Sequence, residues 1–219
     1  MASSVPQLVI FDCDGVLVDS EPISNEVLAQ ALTAAGLPTS QSEAMADYKG
    51  LLMSDVVARA EKRLGAPLPV GFVEAFERDR AVEFRRSLKP VPGAASAVES
   101  IRRAGIGVCV ASQGKLEKTE LSLTLSGLRS LFADDALFSA YSVERGKPHP
   151  DLFLHAAAAM HASPDQSVVV EDTPIGVTAA CSAGMRVFGY AERDGSALRD
   201  AGAEILHSLA DLPARIGVA

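Results

Sequence analysis

The sequence predicts an α/β fold: a doubly wound, Rossmann-like parallel sheet carrying a small α-helical insertion close to its start. Three observations lead there. A short apolar run, Leu8-Val9-Ile10-Phe11, stops abruptly at an acidic residue; the stretch from about Glu21 to Leu88 shows only helical periodicity; and beyond Pro92-Gly93 short apolar runs alternate with helical stretches. Such alternation favours parallel strands joined by crossover helices, with the binding crevice outside the carboxyl ends of the strands.

Taken in order, the first run is β-branched at its centre and reads as a buried strand. Ile23, Val27, Leu28, Ala31, Leu32 and Ala35 then follow 3.6-residue spacing, with Asp19 or Ser20 as a cap, Pro22 in the first turn and Gly36 as a stop. A second helix carries Leu52, Val56, Val57, Ala60 and Leu64 and ends at Gly65. Phe72, Val73, Phe76, Arg80 and Phe84 define a third stripe, on which the Arg80 stem lies along apolar surface. The boundary is expected near Lys89-Pro90-Val91-Pro92-Gly93, giving a core of residues 1–17 and 89–219 and a helical cap domain of residues 18–88. The later strands are expected at Ile106 to Ala111, Ala136 to Phe138, Val168 to Val170, Arg186 to Phe188 and Glu204 to Leu206.

Bulk properties narrow the function. With 219 residues, 48% of them apolar, the chain can bury one substantial core plus a smaller inserted one. A net charge of −8 and a pI near 5.0 oppose attraction to nucleic acid or an anionic membrane surface, leaving small molecules as partners. Met1-Ala2-Ser3-Ser4 opens no targeting segment, and no run reaches the roughly 18 apolar residues of a membrane helix, so a soluble cytoplasmic protein, with nothing that demands more than a monomer, is expected. Cys13, Cys109 and Cys181 show neither disulfide nor zinc spacing and are expected in the core. His149, His155, His161 and His207 are scattered without pairing and are read as structural.

Chemistry enters with the polar groups at strand ends. Asp12 and Asp14 follow the first strand, Ser112 the second, and Glu171 and Asp172 follow Val168-Val169-Val170, while Lys147 lies in a loop able to reach the same edge. Each alone has a bland reading: Asp-x-Asp-Gly as a turn or calcium-like loop, Asp172 or Thr173 as the cap of a helix opening at Pro174, Ser112 as a cap, Lys147 as a solvated charge. Together they make the set that phosphoryl transfer needs, because attack of a carboxylate on an anionic ester requires charge compensation. Asp12 would attack. Asp172, with Asp12 and Glu171, offers hard oxygen ligands for Mg²⁺. Lys147, Ser112 and the amides at the following helix start would bind phosphoryl oxygens. Asp14 would act as general acid and base, and Gly15 lets the turn approach phosphate closely.

With those residues in view, the chain resembles the haloacid dehalogenase-like superfamily, in particular its β-phosphoglucomutase-like phosphatases with a helical cap. The resemblance rests on Asp12-Cys13-Asp14-Gly15-Val16-Leu17-Val18-Asp19-Ser20-Glu21, on the strand ending at Ser112, on Gly146-Lys147-Pro148-His149-Pro150, and on Val170-Glu171-Asp172-Thr173-Pro174-Ile175-Gly176. It implies Asp12 as nucleophile, Asp14 as acid and base, Ser112 and Lys147 as phosphoryl ligands, and Asp12, Asp172 and the Asp14 carbonyl on Mg²⁺ with Glu171 assisting. It also implies a mobile cap that closes over a small phosphorylated metabolite, with Gly15, Lys49, Gly50, Gln113 and Gly114 facing substrate.

The chain departs from the mutases of that group, which usually carry a cap His soon after the first motif and an Arg after the Lys-Gly element. Here those neighbourhoods read Pro22-Ile23-Ser24 and Leu51-Leu52-Met53-Ser54. Gln113 also replaces the smaller polar residue found in many relatives. Hydrolysis of a sugar, sugar-acid or polyol phosphate is therefore expected over the alternative, a phosphomutase. A dehalogenase would not need Asp14 or Asp172, and a non-catalytic binding module would have lost at least one of Asp12, Asp14, Lys147 and Asp172.

Overall fold

The computed structural model describes residues 5–218; the first four residues, considered above for targeting, lie outside that range. The strands are β1 (Leu8–Phe11), β2 (Gly107–Ser112), β3 (Leu137–Ser139), β4 (Ser167–Glu171), β5 (Arg186–Tyr190) and β6 (Glu204–Leu206). All neighbours pair parallel, in the order β3-β2-β1-β4-β5-β6. The chain thus works outward from β1 in one direction and then from β4 in the other, and the switch between them opens a crevice at their carboxyl ends.

All four residues of β1 are buried, because helices cover both faces of the sheet. Val9 and Phe11 point into one apolar cluster with Val98 and Ile101 of α5 (Ala94–Arg103) and Leu123 of α6 (Leu116–Leu125). Leu8 and Ile10 point into the other, against α7 (Asp151–Ala159) and α8 (Pro174–Ser182), which contribute Leu152, Phe153 and Val177. The short helices α9 (Ser196–Asp200) and α10 (Leu212–Arg215) complete the two layers through Leu198 and Leu212.

Before α5, four helices form their own unit: α1 (Glu21–Ala34), α2 (Gln41–Tyr48), α3 (Met53–Leu64) and α4 (Phe72–Ser87). Val27, Leu32, Tyr48, Val56, Ala60 and Phe76 meet in a third apolar cluster, separate from the two that flank the sheet. The connecting segments run side by side: the Asp19 amide donates to the Lys89 carbonyl at 2.9 Å, and the Val91 amide to the Leu17 carbonyl at 2.9 Å.

Helix α2 has no counterpart in the periodicity reading, since only Ala44 and Tyr48 of its residues are buried and no stripe marks it. It is held instead by a capping box, in which the Ser40 side chain accepts from the Glu43 amide and the Ser40 amide donates to Glu43 Oε2 at 2.7 Å. Two further expectations are corrected. Ser20 stands at the start of α1 but makes no side-chain cap bond, because its hydroxyl donates to Asp14 Oδ1. Cys181 is exposed near the end of α8, whereas Cys13 and Cys109 are buried.

Candidate active site

Asp12 follows β1 directly, and its amide continues the ladder by donating to the Val170 carbonyl at 2.9 Å. Its Oδ1 accepts from Lys147 Nζ at 2.5 Å, and the same ammonium donates to Glu171 Oε1 at 2.7 Å and to the Ala111 carbonyl at 3.1 Å. Three strand ends therefore converge on one buried cation. Gln113 fixes the main chain at that lysine from both sides: the Lys147 amide donates to Gln113 Oε1, and Gln113 Nε2 donates to the Lys147 carbonyl, each at 3.1 Å. Gln113, expected to face substrate, spends its amide on this clamp.

Both oxygens of Glu171 are engaged. Oε2 accepts from the Asp172 and Thr173 amides at 2.8 Å and from the Thr173 hydroxyl at 2.9 Å, while Oε1 faces Lys147. Glu171 thus braces Lys147 against the turn into α8 and has no oxygen turned to a ligand. Thr173, not Asp172, caps that helix, accepting from the Gly176 amide at 3.1 Å. A side chain at Gly176 would overlap Glu171 Oε1, so this glycine is required by the carboxylate packed on it.

Asp172 is left free of capping. Its Oδ2 pairs with Lys49 Nζ at 2.6 Å, a contact reaching from the helical unit to the sheet, while its Oδ1 is buried without a hydrogen-bond partner. Gly15, with φ +76°, passes so close that a Cβ there would collide with the Asp172 carboxylate. Gly50, with φ +77°, lets the unit settle on Thr173 and Ile175. Asp14 pairs with Lys118 of α6 and accepts from the Ser20 hydroxyl. Ser112 is fully buried, and its Oγ accepts from the Gly114 amide at 3.0 Å, so that amide is turned inward.

Burial dominates the electrostatics. Desolvation pushes the Asp12 carboxyl up to about 8 against the pull of Lys147, with Glu171, Asp172 and Asp14 adding to the rise. Asp172 is raised to about 7 by burial, which Lys49 only partly offsets. Asp14 is equally buried, yet Lys118 and Ser20 outweigh desolvation and hold it below the ordinary carboxylate range. Lys147 loses solvation but is held above its ordinary value by Asp12 and Glu171. These groups face a cavity of about 130 Å³ whose floor includes Asp12, Asp14 and Lys147 and whose roof includes Lys49, Phe76 and Arg80. Among the described residues no three carboxylate, imidazole or thiol groups are already gathered as a cation cage, since ammonium groups lie against Asp12 and Asp172.

Residues 9–190 match the family model for haloacid dehalogenase-like hydrolases. The chain belongs to that family. Among relatives of this haloacid dehalogenase-like hydrolase, 6-phosphogluconate phosphatase of Escherichia coli K12 is 30% identical over 185 residues, covering 84% of this chain and 82% of the relative. Hexitol phosphatase B of the same organism is 33% identical over 180 residues, covering 81% and 80%. A solved haloacid dehalogenase-like protein of unknown function from Agrobacterium tumefaciens superposes with a TM-score of 0.80 at 36% identity, over 96% of this chain and 97% of that one.

Within this hydrolase, Asp12, Asp14, Ser112, Lys147, Glu171 and Asp172 do meet at one edge of the sheet, as their positions after strands predicted. Lys118 and Arg80 escaped the sequence reading. Lys118 lies on α6 among residues that carry no chemical motif, and only its closeness in space to Asp14, 104 positions away in the chain, distinguishes it. Arg80 was noticed for its stem alone, whereas its guanidinium lies over the Phe76 and Phe84 rings, 4.8 and 5.9 Å from their centroids, on the cavity wall.

Proposed function

We propose that this chain is a Mg²⁺-dependent phosphatase that hydrolyses a small phosphorylated sugar, sugar acid or polyol through an aspartyl-phosphate on Asp12. The single observation that carries the reading is the convergence of Asp12 and Glu171 on the buried Lys147 ammonium, with Asp14 on the same cavity wall. The printed activities of the relatives, phosphatases acting on 6-phosphogluconate and on hexitol phosphates, fit this substrate class. Such substrates are soluble metabolites, and the compartment this reading implies is the cytoplasm.

A hard divalent cation suits the oxygen donors present. The orphaned Asp172 Oδ1 needs a partner, and the absence of a side chain at Gly15 keeps space beside Oδ2. Asp12, Asp172 and the Asp14 carbonyl would hold Mg²⁺, which when bound neutralises charge on the phosphoryl oxygens. Asp12 Oδ attacks phosphorus while Lys147, its position set by Glu171 and Gln113, offsets charge on the transferring group. The ester P–O bond breaks, and the leaving oxygen takes a proton from Asp14. Asp14, again a carboxylate and stabilised so by Lys118 and Ser20, then removes a proton from water; the hydroxide attacks phosphorus, releasing inorganic phosphate and restoring Asp12.

Residues 18–88 act in this reading as a cap that excludes water and selects substrate, with Lys49 and Gly50 at its contact with Asp172 and Thr173. The positions where mutases carry their His and Arg lie among Ser24, Leu51 and Met53, which line the cavity and supply neither an imidazole nor a guanidinium at those points. Hydrolysis is therefore favoured. A panel of phosphorylated metabolites assayed with and without Mg²⁺, with Asp12→Asn as control, tests this. Metal-dependent phosphate release that disappears in the variant is expected; release indifferent to a chelator refutes the metal assignment.

A further inference from the structure

We propose that Arg80 anchors a second anionic group of the substrate, so that the preferred phosphate ester carries a carboxylate or another phosphate remote from the transferring phosphoryl group. The inference rests on the phosphatase reading and narrows its substrate class.

Five cationic side chains line the reaction cavity. Four are paired: Lys147 with Asp12 and Glu171, Lys49 with Asp172, Lys118 with Asp14, and Lys115 with Glu77 at 2.8 Å. Arg80 differs. Among the described residues no carboxylate or carbonyl pairs with its guanidinium, whose contacts are the faces of Phe76 and Phe84. The aromatic pair packs against the group but accepts no conventional hydrogen bond from it, and a planar fork of donors matches a carboxylate or phosphate. Burial pulls Arg80 below its ordinary value, and Asp14 and Glu77 restore only part of the loss.

Position supports the same role. Arg80, Lys115 and Lys118 line both the inner cavity of about 130 Å³ and a neighbouring one of about 420 Å³. The transferring phosphoryl group belongs against Asp12 and Lys147 on the inner floor. An ester longer than that chamber must extend toward the shared wall, where Arg80 is the cation not already neutralised. A neutral polyol tail placed there would offer hydroxyl oxygens to the guanidinium but would leave its charge without a counter-ion and its bonds without charge assistance.

The test uses two matched pairs of esters, 6-phosphogluconate against glucitol 6-phosphate and fructose 1,6-bisphosphate against fructose 6-phosphate. Each pair differs in one anionic group. Wild type is expected to favour the more acidic member of one pair in kcat/KM by roughly 10- to 100-fold, the range a charge-assisted hydrogen bond supplies. Arg80→Gln should bring that ratio close to one, and Arg80→Lys should restore part of it. Which pair responds distinguishes carboxylate from phosphate. A wild-type ratio of one or less in both pairs, or an equal loss on both members in Arg80→Gln, overturns the proposal. Should Arg80→Gln fail to fold, the ratio in Arg80→Lys decides: unchanged from wild type, it overturns the anchor; reduced, it upholds it. Hydrolysis of p-nitrophenyl phosphate by wild type, lost in Asp12→Asn, checks the phosphatase reading separately, so absence of this activity sinks that reading while its presence with no acidic preference sinks only the anchor.

Discussion

Replacing Gly176 by alanine tests the architecture of the site through a reversal of sign. Gly176 lies in the first turn of α8, where alanine is favoured over glycine by about 1 kcal/mol on helix propensity alone. Here the added Cβ would overlap Glu171 Oε1, and the carboxylate must move. That carboxylate accepts four hydrogen bonds, from Lys147 Nζ, the Asp172 and Thr173 amides and the Thr173 hydroxyl. Loss of two of them, at about 1.5–3 kcal/mol for bonds to a charged group, costs about 3–6 kcal/mol. Net of propensity, Gly176→Ala should destabilise by about 2–5 kcal/mol, and at about 2–4 °C per kcal/mol the midpoint of that range lowers Tm by about 7–14 °C. In a Glu171→Ala background the same change should be neutral or stabilising. Urea and thermal unfolding of the four proteins in this cycle give the answer. An equal effect of Gly176→Ala with and without Glu171 would refute the argument.

Three other outcomes follow from the same geometry. Lys118→Met removes the ammonium that holds Asp14 below its ordinary range, so burial should prevail and the basic limb of the kcat/KM profile, where the acid of the first step is lost, should move to higher pH; an unmoved limb removes Lys118 from the control of Asp14. Asp172 has its carboxyl raised from 3.8 to about 7 in the folded protein, so between those values the folded state holds more protons than the unfolded chain. Stability of the chelator-treated protein should therefore fall as pH rises through that window, and Asp172→Asn should remove this part of the slope in a Tm series; a slope unchanged by the substitution contradicts the assignment. Ser40→Ala breaks the capping box of α2 and should lower stability by about 1 kcal/mol in urea unfolding, with no loss registering if the box contributes nothing.

Much of this could be read before any coordinates, for reasons that lie in particular residues. The strands announce themselves because both faces of the sheet are covered, which makes Leu8 to Phe11 and Val168 to Val170 continuous apolar runs that break at carboxylates. The polar groups of the candidate site stand where those runs stop, so their order in the chain predicts their meeting in space. Helix α2 was not legible by periodicity because two buried residues make no stripe, although Ser40-x-x-Glu43 was a local signal available to be read. Ser20 looked like a cap because its spacing to Pro22 suits one, and only the fold shows Asp14 competing for its hydroxyl. Lys118, Arg80 and the Gln113 clamp depend on contacts between distant segments, to which no pattern of neighbours in sequence points.

Val27, Leu32, Tyr48, Val56, Ala60 and Phe76 of the helical unit form an apolar interior of their own, while Phe84 near the end of α4 packs instead with the layers around the sheet. In the proposed reading, substitutions within that interior can redraw which molecules are admitted while the layers beneath Asp12 and Lys147, Phe84 among them, stay as they are. One nucleophile could in this way serve a succession of different metabolites, each reached by editing an interior whose Tyr48, Val56 and Phe76 border the cavity from the side opposite Asp12.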